Sequence, residues 1–253
     1  MKLSGTAVLL MLLATNPMIA DDPESQIPGR FIPKWGGRAI WISASEALNQ
    51  DGSVRQGVLH QNDLRELHRR RDWLRDRRQR GISTQGVPRD CDVNFVGYVS
   101  QGGESQVNSF DQLRDLARTR TVIRGTVVAS DVGIHSGMPH AILRVNSDAA
   151  GIVYLIYPHA RLRMNGMLVC NADPYYAEPP AIGASITAIV SQPLDQTGTL
   201  YWPSGWSIFY ERDGVVVAAP FIRDDVALHR FQSLDDLTSA LRGAEPPHQS
   251  HRQ

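Results

Sequence analysis

Helical periodicity first marks the segment between Asn62 and Arg80, where apolar residues recur every three or four positions. They form a narrow stripe of Leu64, Leu67, Trp73 and Leu74. Asn62 stands where a helix cap accepts backbone N–H groups, and Gly81 can end the helix in a left-handed conformation. The pattern therefore predicts a helix over 62–80, and its many arginines make it strongly basic.

Two shorter helices are predicted by capping signals. Ser109 precedes "FDQLRDLART" and has Gln112 three residues further on, which is the spacing of a capping box. Ser233 precedes "LDDLTSALR" with Asp236 at the same spacing, and Gly243 follows as a terminator.

From Thr121 onward the period of the hydrophobic pattern changes to two, which is typical of strands. Asn165-Gly166 and Asp213-Gly214 lie between strand-like runs and predict two-residue hairpin turns. The run "IGASITAIV" places on one side Ile182, Ala184, Ile186, Ala188 and Val190. Six to eight short strands predict a mainly β fold with flanking helices (α+β), built as a small barrel or a β-sandwich.

The order of these strand motifs resembles that of uncharacterised bacterial exported proteins with an OB-like β-barrel domain. The stretches that carry the resemblance are "VIRGTVVAS", "ILRV", "YLIYPHARLRMNGMLVC" and "IGASITAIV", with Ile182-Gly183 in a late strand. The resemblance covers residues 120–222 and implies a curled five-stranded barrel. It implies no active site, and the long spacer before Ile182 leaves a sandwich as the alternative.

The first twenty residues have the order of a secretory signal peptide. Lys2 is followed by the apolar run Ala7–Ala14, a polar break and the small residue Ala20. The run is shorter than a membrane span, although an uncleaved anchor is the alternative because Met18 is large for a cleavage site. We therefore expect export to the periplasm or the exterior, with no membrane span after cleavage.

The domain organisation predicted from these signals has four parts. A signal peptide (1–20) precedes an N-terminal extension with the arginine-rich helix (21–107). A β-barrel domain with flanking helices (108–243) follows, and a disordered tail (244–253) ends the chain.

Charge and cysteine content narrow the partners and the compartment. The chain has 26 basic and 26 acidic residues, so it offers no overall argument for a polyanion, and no nucleic-acid partner is expected. The two cysteines, Cys91 and Cys170, form an even pair in a chain predicted to be exported, which predicts a disulfide.

Three histidines are candidate metal ligands: His135, His140 and His159. Imidazole is a common zinc ligand, and a tight turn at Ser136–Pro139 would bring His135 close to His140. No acidic residue is spaced as a further ligand, and Asp131 is the nearest one. Solvent-exposed loop histidines are the alternative.

A group of aromatic residues is the candidate partner-binding surface. Tyr201, Trp202 and Trp206 are close in sequence, and we expect Tyr175 to lie nearby. Tryptophan and tyrosine serve as platforms for sugars or proteins when exposed, whereas packing into the core is the alternative.

The sequence favours a non-enzymatic exported module that binds an envelope component or an extracellular partner, with no cofactor. The alternative is a divalent-metal-dependent hydrolase that uses His135 and His140. No catalytic residue is assigned.

Overall fold

β-strands carry most of the regular structure in the described part of this protein, where 39% of the residues are in strands and 23% are in helices. The predicted mainly β fold with flanking helices is therefore confirmed. The computed structural model describes five stretches of the chain, residues 26–84, 87–95, 107–171, 178–218 and 228–243. The predicted signal peptide and tail lie outside these stretches.

Twelve strands are present in the described residues. In chain order they are β1 Arg30–Phe31, β2 Trp41–Ser43, β3 Val93–Asn94, β4 Thr121–His135, β5 Met138–Ser147, β6 Gly151–Tyr157, β7 Ala160–Met164, β8 Met167–Asn171, β9 Ser185–Val190, β10 Leu200–Tyr201, β11 Pro203–Arg212 and β12 Val215–Ala218. The helices are α1 Ala44–Ala47, α2 Gln61–Gln79, α3 Phe110–Thr119 and α4 Leu234–Leu241, with a 3₁₀ turn at Leu228–Arg230.

The main sheet is organised around the long strand β4. Its first half pairs antiparallel with β9, its second half pairs with β5, and β5 pairs in turn with β6. β10 pairs parallel with β6, and β11, which follows after Trp202, pairs antiparallel with β9 and β12. The chain thus passes directly from the β6 side of the sheet to the β9 side.

Three hairpins in the described chain have two-residue turns in which both residues have positive φ: Ser136–Gly137, Asn165–Gly166 and Asp213–Gly214. The last two are the predicted hairpin turns. The first is tighter than expected, because Met138 and Pro139 already pair within the β4–β5 ladder. Such turns follow the right-handed twist of the strands they join.

The alternating residues of six strands meet in a central core. Its members are Ile123, Val127, Ala141, Leu143, Val145, Val153, Leu155, Tyr157, Ala160, Ile186, Ala188, Val190, Ile208 and Tyr210. Ile186, Ala188 and Val190 were predicted to share one side of a strand, as they do. Ile182 departs from the predicted row, because it precedes β9 and is 70% exposed.

The helices α3 and α4 cover the outer face of the sheet beside β9, β11 and β12. Leu113 and Leu237 pack there against residues that include Ile189 and Phe209, which alternate along their strands with central-core residues. The predicted caps are present, since the hydroxyls of Ser109 and Ser233 accept hydrogen bonds from backbone N–H groups in the first helical turn.

The described residues before 96 pack against the later strands. β2 pairs with the end of β4, where Ile42 faces Ile134, and Trp41 is completely buried. Residues 26–58 contribute the two strands β1 and β2 and the buried Trp41. Trp41 packs in an outer cluster with Ile142 and Ile156.

The arginine-rich helix α2 begins one residue earlier than predicted. His60 is its N-cap instead of the predicted Asn62, because Asp63 in the first turn accepts a hydrogen bond from the His60 backbone N–H at 2.8 Å. Leu67 and Leu74 are buried as predicted, but Trp73 is 54% exposed and lies beneath the Arg77 guanidinium. The buried stripe is therefore narrower than the periodicity suggested.

A disulfide joins Cys91 to Cys170, with the two Cα atoms 6.0 Å apart and both residues fully buried. The predicted bridge is confirmed. It ties the segment before β3 to β8, in a second sheet of three strands ordered β3-β8-β7. In the described part of the chain, no helix is both long enough and apolar enough to cross a membrane.

Candidate functional site

The hairpin of β4 and β5 brings two of the predicted histidines together. His135 ends β4 and His140 is the third residue of β5, and their ring centroids are 5.1 Å apart in an edge-to-face arrangement. The third, His159, is buried next to Tyr157, with the ring centroids 6.2 Å apart. The short Ser136–Gly137 turn produces the first of these contacts.

His140 is built into a buried hydrogen-bond network. Its Nδ1 lies 3.3 Å from the backbone oxygen of Met138, and its Nε2 lies 3.3 Å from Nδ2 of Asn171. The same Asn171 amide donates to the backbone oxygen of Pro158 at 2.7 Å. These partners assign a neutral imidazole with its proton on Nδ1. Burial lowers the pKa of His140 to about 3, with smaller contributions from His135 and His159.

His135 links this network to an aromatic side chain and to the N-terminal segment. Its Nδ1 donates to the backbone oxygen of Ile40 at 2.6 Å, and its ring centroid is 5.0 Å from that of Trp202. Burial lowers the pKa of His135, and the hydrogen bond to Ile40 opposes that shift. Burial also lowers the pKa of His159 to about 4. All three imidazoles are therefore neutral near pH 7.

Of the three histidines predicted as metal ligands, His135 and His140 lie in contact with each other. Both ring nitrogens of His140 already face polar partners, so a metal would have to displace Met138 or Asn171. Asp131 is half-buried, and burial raises its pKa. Within the described stretches, no group of three or more His, Cys, Asp and Glu side chains is arranged to hold a metal ion.

The predicted aromatic surface is only partly described. Trp202 packs against the outer cluster of Trp41, Ile142 and Ile156, and Tyr201 packs against the central core. Both are half-buried. Tyr175 and the side chain of Trp206 lie outside what the structure describes. Tyr201 and Trp202 therefore pack against the two clusters more closely than residues of an exposed binding platform would.

A cleft of about 340 Å³ opens beside the Ser136–Gly137 turn. Its walls come from three separate parts of the chain: residues 38–42, residues 58–63 at the start of α2, and residues 134–137. Its apolar lining consists of Ala39, Ile40, Ile42, Val58 and Ile134. Its polar side chains are those of Arg38, His60, Asp63, His135 and Ser136.

The charged groups of the cleft are only loosely paired. Nη2 of Arg38 donates to the backbone oxygen of Val58 and lies 3.9 Å from Oδ2 of Asp63. That same Oδ2 accepts the hydrogen bond from the His60 backbone N–H. The side chains of Arg38 and Asp63 keep 37% and 25% of their surface exposed.

Gly137 explains why the turn fits against the start of α2. Its φ of +78° favours glycine, and a Cβ at this position would lie 3.1 Å from Cβ and Cγ of Asp63. A larger residue would push the turn away from the helix and change the shape of the cleft.

Among the cleft residues, His135 was identified from the sequence, as a candidate metal ligand, whereas Arg38, His60 and Asp63 were missed. Asp63 lies in the first turn of a predicted helix, where an acidic residue is common and does not by itself indicate a site. Nothing in the sequence indicates that residues near 38, 60 and 135 converge, because only long-range packing brings them together.

Comparisons with known proteins add no information about the site. No protein-family description matches the chain, and neither a curated protein nor a solved structure matches it significantly.

Proposed function

We propose that this protein is an exported binding module whose small ligand occupies the cleft beside the β4–β5 turn. The observation that carries the proposal is the cleft itself, which combines an apolar lining with the loosely paired charges of Arg38 and Asp63. Small-molecule sites have this composition, namely apolar walls with a few polar groups, in volumes of about 300–1,000 Å³.

Strand order supports an OB-like barrel as the framework of this module. β4, β5 and β6 form a meander, the β10–β11 segment lies parallel to β6 and antiparallel to β9, and β9 pairs back with β4. Barrels of the OB type bind ligands on their second and third strands and at the loop between their first two strands. The β4–β5 turn holds that position and lines the cleft.

Export to the periplasm or the exterior is part of the proposal. The disulfide between Cys91 and Cys170 supports it, because such bonds persist mainly in oxidising compartments. The signal-like first twenty residues support it independently. An envelope component or an extracellular molecule is then the source of the ligand.

Blocking the cleft tests the binding function. Ala39→Phe places a large side chain in the lining, whereas the matched control Ala150→Phe adds the same group to an exposed turn far along the chain. A library of small amphipathic fragments is screened against each purified protein by ligand-observed NMR.

We expect fragments that bind the wild type and the Ala150→Phe control to lose binding to Ala39→Phe. His60→Trp, at the exposed rim, provides a second block if Ala39→Phe does not fold by circular dichroism. Equal binding to the blocked proteins and the control would contradict the proposal.

The contact between His135 and His140 supports the hydrolase as a second candidate function. A divalent metal held there would polarise a carbonyl or activate water. Metal analysis of the purified protein separates the two candidates. Stoichiometric zinc that is lost in His140→Ala would favour the hydrolase over the binding module.

A further inference from the structure

Two opposite charges, those of Arg38 and Asp63, form a long ion pair in the cleft. The Nη2 atom of Arg38 and Oδ2 of Asp63 are 3.9 Å apart. A charge-assisted hydrogen bond between such groups is about 2.7–2.9 Å long. The pair therefore leaves room for other partners.

Each charged group also keeps bonding capacity. Arg38 uses Nη2 for the Val58 backbone oxygen, and its Nε and Nη1 have no acceptor among the residues that the structure describes. Asp63 uses Oδ2 for the His60 N–H, and within the same residues its Oδ1 accepts no hydrogen bond. The cleft thus offers a cationic donor and an anionic acceptor to one small molecule.

We infer that the cleft binds the zwitterion of a free apolar α-amino acid, an inference that rests on the proposed binding function. The carboxylate pairs with Arg38, the ammonium pairs with Asp63, and the side chain lies against Ile42, Val58 and Ile134.

The spacing of the charges favours a free amino acid over a peptide. An α-amino acid carries both charges on one carbon atom, as required by two protein charges 3.9 Å apart. Each residue added to a peptide separates its termini by up to about 3.3–3.6 Å. A longer ligand would satisfy one protein charge and leave the other unpaired.

Three related probes test the inference on the wild-type protein by titration calorimetry. Leucine carries both charges, N-acetylleucine lacks the ammonium, and leucinamide lacks the carboxylate. We expect leucine to bind at least about tenfold more tightly than either analogue, since a hydrogen bond to a charged group contributes about that factor.

Variants assign each preference to a residue. Arg38→Gln should remove the preference for leucine over leucinamide, and Asp63→Asn should remove the preference over N-acetylleucine. Asparagine keeps an oxygen that can accept from the His60 N–H. Arg163→Gln and Asp213→Asn, which change exposed charges on other hairpins, should keep both preferences.

The outcomes separate this inference from the proposed function. Equal binding of the three probes, blocked by Ala39→Phe, would overturn the zwitterion and leave a cleft that binds small apolar molecules. Failure of all three probes would overturn the zwitterion, while the fragment screen would still decide whether the cleft binds ligands. Preferences that survive in Arg38→Gln and Asp63→Asn would place the site elsewhere and overturn the inference.

Discussion

Single residues show how this protein accommodates polar groups in its interior. His140 and Asn171 are almost completely buried; Nδ2 of Asn171 lies 3.3 Å from Nε2 of His140 and donates to the backbone oxygen of Pro158, while Nδ1 of His140 faces that of Met138. Asp195 is buried as well, and its carboxylate accepts hydrogen bonds from the backbone N–H groups of Thr199 and Leu200 at 2.8 and 2.7 Å. Such groups are tolerated because a buried polar atom costs little once it has partners.

The buried histidines make stability depend on pH. An unfolded histidine has a pKa near 6.5, whereas the pKa is about 3 for folded His140 and about 4 for folded His159. As the pH falls below 6.5, these histidines bind protons in the unfolded chain but not in the folded protein. The free energy of unfolding therefore decreases. We expect the free energy of unfolding from urea titrations to fall by at least about 2 kcal/mol between pH 7.5 and pH 5.0.

His140→Gln should make this pH dependence shallower, because one of the buried imidazoles is gone. His68→Gln, on the exposed side of α2, controls for the loss of an imidazole as such. The raised pKa of Asp131 acts in the opposite direction, because the folded protein then binds the proton first. An unchanged slope in His140→Gln would contradict the structure of the buried network.

Secondary-structure elements were largely readable from local signals. The turns Asn165–Gly166 and Asp213–Gly214 and the caps at Ser109 and Ser233 were all predicted correctly, because each depends on a few neighbouring residues. The exposure of Trp73 was not predicted, since the periodicity places this residue next to the apolar stripe but does not show which residues pack against the stripe. Local rules therefore predict elements better than their contacts.

The pairing of β2 with β4 depends on a glycine that local rules do not explain. A Cβ on Gly133 would overlap the backbone oxygen of Ile42 and the indole of Trp41. We expect Gly133→Ala to lower the free energy of unfolding by about 3 kcal/mol. Limited proteolysis should then cleave more rapidly in residues 26–59, because β2 separates from β4.

Ser130→Ala, at an exposed position of the same strand, is the control for that substitution and should behave as the wild type. If Gly133→Ala is as stable and as protease-resistant as Ser130→Ala, the close approach of the two strands is wrong.

At the scale of the whole molecule, the disulfide joins parts of the chain that are far apart in sequence. Cys91 and Cys170 are separated by 79 positions. In the chain-entropy account, closing a loop of this length stabilises the folded state by about 4 kcal/mol. Replacing both cysteines by serine should lower the free energy of unfolding by about this much, which is seen as a lower urea midpoint. A reducing agent should lower the midpoint of the wild type but not that of the variant. Equal midpoints for the disulfide-bonded wild type and the double-serine variant would contradict this contribution.

The sequence by itself determined the class of the fold, two hairpin turns, the caps of α3 and α4 and the disulfide. Hydrophobic periodicity, caps and turns depend on a few neighbouring residues, and two cysteines allow a single pairing. Only the tertiary structure decided the strand order, the burial of Trp41 and the cleft where Arg38, Asp63 and His135 meet. The physical reason is that these features arise from packing between segments up to about a hundred residues apart. The burial of apolar surface favours such packing, but it is non-directional and does not show in a short stretch of sequence which segments will meet.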